Sequence, residues 1–134
     1  MNMTANDIVF HLMSFFPDAL AIYQFGSVGM GNEHKESDLD LAVLSSQRLD
    51  PLIRWEAAQK MATIVGRDVD LIDLLSVSTV MRLQVITQGK CLYCRDKNQL
   101  GRFENNVFSA YARLNEERRG IMQDIQQKGS VYGR

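Results

Sequence analysis

Apolar positions along the chain fall into blocks of helical spacing that alternate with blocks of strand-like runs. Thr4 can cap a first helix, Ala5–Phe16, in which Ile8, Leu12 and Phe15 lie at helical intervals. Pro17-Asp18 breaks it. Ala19–Phe25 reads as a strand closed by Gly26, and a polar, glycine-rich loop from Ser27 to Ser37 leads to a second strand, Asp38–Leu44. Asp50-Pro51 is a strong helix start, an acceptor at the cap followed by proline in the first turn. That helix is expected to bury Trp55, Ala58, Ala62 and Val65 and to stop at Gly66. Asp68–Leu75 is a third strand, Ser76 opens a helix ending at Gly89, and Lys90–Arg95 is a short fourth strand. From Asp96 a long helix carries Phe103, Val107, Ala110 and Leu114 as its apolar stripe, and the tail Gln126–Arg134 is expected to fray.

This alternation predicts an α/β (α+β) organisation, a mixed sheet of about four strands covered mainly on one side by helices. With 134 residues, two prolines, no repeat and no low-complexity linker, residues 1–134 read as one domain. A chain of this size can build its core without metal or disulfide staples.

Fifteen Lys+Arg against sixteen Asp+Glu give a net charge of −1, which argues against nucleic-acid coating or membrane-surface binding. No apolar run approaches the ~20 residues that a spanning helix needs. Met1–Phe16 lacks the basic region and cleavage site of a secretory signal, so the expected compartment is the cytoplasm. Cys91 and Cys94 could form a redox pair or half a zinc site. On a regular strand, positions three apart point to opposite faces, and only His11 and His34 could complete a zinc site. They are therefore expected to be packing cysteines.

The informative stretch runs from Phe25 to Leu41. Asp38 and Asp40 are two apart on a strand, so both carboxylates leave one face. At about 4 Å and an effective dielectric near 20 their repulsion would be roughly 4 kcal/mol, which calls for a cation between them. Hard oxygen ligands suit Mg²⁺, which binds carboxylates together with substrate phosphates. The later acidic strand, Asp68-Val69-Asp70-Leu71-Ile72-Asp73, offers a third acid, to hold the metal or to take a proton from an attacking hydroxyl. Alternation puts Asp68 and Asp70 on one face and Asp73 on the other with Leu71 and Leu75; strand register decides whether Asp70 or Asp73 joins the pair. Gly26-Ser27, directly after the first strand, lets backbone and hydroxyl donors approach a triphosphate. Each feature alone is weak, since Gly-Ser is a common turn and Asp-x-Asp can be a solvated edge strand. Together they are the parts of a metal-dependent nucleotidyl transfer site.

Gly26-Ser27, ten residues, then Asp38-Leu39-Asp40 resembles the GS-x10-D-x-D signature of the polymerase-β-like nucleotidyltransferases. The short length and the Asp70–Asp73 strand look like the minimal nucleotidyltransferase (MNT) antitoxins, encoded beside HEPN-domain ribonuclease toxins. The resemblance implies an ATP- and Mg²⁺-dependent transfer of AMP to a tyrosine hydroxyl of such a toxin, silencing it, with release of pyrophosphate. By position it implies Asp38, Asp40 and Asp70 as metal ligands and catalytic carboxylates, and Gly26 and Ser27 as the ATP contact.

Two other readings share these residues. One is an antitoxin that neutralises its toxin by binding alone; the other is transfer to a small molecule such as an aminoglycoside. An intact, mutually repelling acidic cluster favours catalysis over a vestigial site. In a chain this short the acceptor is expected on a partner's surface, without direct nucleic-acid or membrane contact. The long last helix, about 96–127, is the candidate docking element, because its stripe continues from Leu114 to Ile121, Met122 and Ile125.

Overall fold

The computed structural model describes residues 3–26 and 38–128. In chain order the elements are α1 (Ala5–Phe15), β1 (Ala19–Phe25), β2 (Leu39–Ser45), α2 (Pro51–Val65), β3 (Val69–Asp73), α3 (Thr79–Gln88), β4 (Lys90–Cys94) and α4 (Lys97–Lys128). Short-range chemistry sets most of the boundaries. Thr4 and Asp7 form a reciprocal capping box on α1. Asp50 accepts from the amides of Leu52 and Ile53 to start α2, which ends where Gly66 turns left-handed at φ 75°. The third helix starts later than Ser76: Ser78 is its cap, and the Ser76 hydroxyl donates instead to Asp73. The last helix continues to Lys128, so 126–128, expected to fray, are helical.

The sheet order is β3-β2-β1-β4. The first strand is antiparallel to both of its neighbours, and β2 and β3 are parallel, joined by α2 as a parallel crossover requires. This is the mixed four-stranded sheet that the sequence predicts.

Helices cover both faces of it rather than mainly one. Ile22, Leu39, Leu41, Val43 and Leu71 pack with Ile8 and Leu12 of α1 and with Ala57 and Met61 of α2. On the opposite face Ala21, Tyr23, Phe25, Ala42 and Leu44 pack with Val85 of α3 and Leu100 of α4. The cause is visible in β1 and β2, which are almost continuously buried and therefore apolar on both faces.

The buried side of α2 also differs from expectation. Ala57 and Met61 are fully buried, whereas Trp55 is 60% exposed. Arg54 lies on the inward side and donates from Nη1 to the Leu71 carbonyl at 3.1 Å, so a polar residue holds a core-facing position and the apolar stripe misleads. Among the described residues no helix is long and apolar enough to cross a membrane.

Candidate active site

The carboxylates gather where β1 ends and β2 and β3 begin. Asp40 pairs across β1 with Phe25 and across β3 with Asp70, so the Asp40 and Asp70 side chains leave the same sheet face on adjacent strands. That is the face covered by α3 and α4. Leu39, 1% exposed, points into the opposite core and so turns Asp40 to the other face, while Asp38, expected on the strand, lies just before β2 and is exposed. The Leu39 amide donates to the Asp68 carbonyl at 2.9 Å, which locks the register of the two acidic segments.

Gly26 adjoins this pair. It adopts φ +85°, and a Cβ there would overlap Asp40 Oδ2 and stand 2.9 Å from Asp40 Cγ. The left-handed backbone favours glycine, and any side chain here would displace the Asp40 carboxylate. A phosphate contact is the only reason for this glycine that is local in the sequence; the contact with Asp40 is long-range and has no local signal. Ser27 and the rest of the loop 27–37 lie outside the described residues.

Asp40 is half-buried, while Asp38 and Asp70 are exposed. Burial pushes the Asp40 carboxyl above the ordinary aspartate range, and the neighbouring charges of Asp70 and then Asp38 push it further the same way. Among the described residues no three acidic, histidine or cysteine side chains close around a single point as a metal cage. What is present is an open cluster of hard oxygen donors under mutual repulsion, and a divalent cation brought by a triphosphate fits that donor set.

Asp73 belongs elsewhere. It is 4% exposed and accepts from the amides of Leu49 (2.8 Å) and Leu75 (3.0 Å) and from the Ser76 hydroxyl (2.9 Å). Those bonds hold the β2–α2 and β3–α3 connections and engage both of its oxygens. Of the two acids left open by the sequence, the register brings Asp70 to Asp40 and turns Asp73 into the opposite face.

Two further features concern α4 and β4. The buried Tyr23 hydroxyl donates to Glu104 Oε2 at 2.7 Å, which ties α4 over β1, and burial raises its pKa far above the usual value. A bulge in the β1–β4 pairing sets Cys94 opposite Ala21 and Cys91 opposite Tyr23. Both cysteines therefore lie on one face, against the regular alternation expected from sequence. Both are free; Cys94 packs half-buried as expected, whereas Cys91 is exposed, and desolvation raises its thiol, which opposes thiolate chemistry. A cavity of about 300 Å³ beside Asp18, Ser46 and Arg48 lies at the other end of the sheet from the aspartates.

Residues 9–98 match the polymerase beta nucleotidyltransferase family model. The chain is 42% identical to the protein adenylyltransferase MntA of Shewanella oneidensis over 124 residues, 92% of this chain and 88% of that protein. It superposes with a TM-score of 0.82 on a chain of a toxin–antitoxin complex crystallised with AMP-PNP, at 41% identity over 92% of this chain and 99% of the other. A second solved structure, a tri-AMPylated Shewanella oneidensis HEPN toxin in complex with MNT antitoxin, matches at 39% identity and TM-score 0.75, covering 91% and 95%. A family match across most of the chain thus coincides with the stretch that carries Gly26, Asp40 and Asp70: this chain belongs to the polymerase beta nucleotidyltransferase family.

Proposed function

We propose that this protein is an antitoxin that transfers AMP from ATP to a tyrosine hydroxyl of a HEPN-domain toxin and thereby silences it. The observation that carries this reading is the in-register pairing of Asp40 with Asp70 directly beside Gly26. It leaves adjacent carboxylates at one strand end, next to a backbone segment that a triphosphate can approach. The likeness to an adenylyltransferase of the same length class supports the choice of AMP and of a protein acceptor.

In this reaction the acceptor oxygen attacks the α-phosphorus, the bond to the β-phosphate breaks, and pyrophosphate leaves. Asp38, Asp40 and Asp70 would hold Mg²⁺, whose chemistry is to neutralise the phosphates and the charge that develops during transfer. Gly26 keeps the Asp40 carboxylate seated and, with Ser27, contacts the triphosphate. Asp70 is also available to take the proton that the hydroxyl loses. The raised pKa of Asp40 marks a carboxylate whose charge is relieved when substrate and cation arrive.

The test is incubation of a HEPN-domain protein encoded beside this chain with ATP, Mg²⁺ and a substoichiometric amount of this protein. Toxin heavier by whole AMP units, and still silent after separation, supports transfer. Unmodified toxin inhibited only at equimolar ratio and without nucleotide overturns it in favour of binding alone.

A further inference from the structure

The last helix and the first strand run side by side in the same direction. The Arg95 amide donates to the Leu20 carbonyl at 2.8 Å near their starts, and Tyr23 meets Glu104 further along. After Tyr23 only Gln24 and Phe25 remain in β1, about 7 Å of strand. After Glu104 the helix continues to Lys128, about 36 Å along its axis. Well over half of that length therefore passes the strand end at which Asp40 and Asp70 lie, on the same sheet face.

The side of α4 that faces the core does not change character where the core stops. Leu100 (8% exposed) and Val107 (3%) are buried, and Leu114, one heptad on, is half-buried. Ile121, the next position of that heptad, is 60% exposed, and its neighbour Met122 is 56% exposed. Every residue from Glu116 to Gln123 is exposed.

A second copy is a poor occupant for this face. One side of a free helix about 10 Å across and about 21 Å long offers roughly 330 Å². Two such arms pairing would bury about 660 Å² in total, short of the ~1,000 Å² that a specific interface needs. A body filling the angle between arm and strand ends gains the rim of the site as well, on the sheet face from which Asp40 and Asp70 project. We propose that α4 beyond Leu114 is a docking arm for the protein that carries the acceptor hydroxyl, presenting Ile121 and Met122 to an apolar patch on it. The proposal rests on the transfer reading above.

The test compares the full chain with its Ile121→Glu/Met122→Glu variant, using the HEPN-domain protein as partner. Both positions are exposed and glutamate favours helix, so an unchanged circular dichroism spectrum is expected. The Kd without nucleotide and the KM for the partner should each rise about tenfold or more. The KM for ATP, kcat at saturating partner and the sedimentation of the free chain should stay as in wild type. An unchanged Kd and KM overturn the arm while leaving the transfer reading intact. A free dimer that the variant dissolves, with partner binding unaltered, overturns it in favour of self-association. Wild type that binds without labelling sinks the transfer reading alone, and the Kd of the variant still decides the arm.

Discussion

The carboxylate of Asp40 fills the space that a side chain on residue 26 would need, so Gly26 and Asp40 form one structural unit. The triphosphate contact proposed for Gly26 and the seat of the Asp40 carboxylate are two demands on one position. The two roles call for the same absent Cβ.

Replacing Gly26 with alanine should therefore act through Asp40. The new methyl displaces the carboxylate, and the left-handed φ adds about 1 kcal/mol of backbone strain. A shift of an ångström at a reacting centre can lower turnover about a hundredfold. Steady-state labelling should show that loss, while the melting temperature falls only slightly. Wild-type turnover in Gly26→Ala would contradict the contact.

The raised pKa of Asp40 carries a sign for stability. Its folded value lies above the ordinary 3.8, so the free protein binds this proton more tightly than the unfolded chain does. Stability is lost as pH rises from the ordinary value through the raised one, and it stays lower above. Asp40→Asn should thus raise the melting temperature of the metal-free protein at neutral pH, with the gain vanishing below about pH 3.8. Transfer by the same variant should fall about a thousandfold or more, since several kcal/mol of charge stabilisation go with the carboxylate. Melts across pH with and without Mg²⁺-ATP check both statements.

Asp70 and Asp73 separate chemistry from architecture. Asp70→Asn should remove transfer and leave the melt nearly unchanged, because the side chain is exposed. Asp73→Ala leaves the part-buried amides of Leu49 and Leu75 without their acceptor and should destabilise the fold by about 1–3 kcal/mol. Denaturant unfolding of the two variants distinguishes them; a stable Asp73→Ala would refute the structural role.

What the sequence discloses follows the range of the interaction. Thr4 with Asp7, and Asp50 with Pro51, are local pairs, and the elements they start lie where the spacing predicts. The Asp-x-Asp pattern of 38–40 and 68–70 is equally local, but only the β2–β3 register, which is not local, brings Asp70 rather than Asp73 to Asp40. The inward side of α2 is not local, since the Leu71 carbonyl draws Arg54 inward and leaves Trp55 outside. The shared face of Cys91 and Cys94 depends on a bulge opposite Ile22 and Tyr23, which strand periodicity does not reveal. Coverage of both sheet faces was readable, because β1 and β2 are apolar on alternate and intervening positions alike.

The most direct test of the central claim is intact-mass spectrometry of a HEPN-domain protein after exposure to substoichiometric wild type, or to the Asp38→Asn/Asp40→Asn variant, with ATP and Mg²⁺. Transfer predicts a toxin heavier by whole AMP units with wild type and of unchanged mass with the variant. An unmodified toxin with wild type, or equal labelling by the variant, would contradict it.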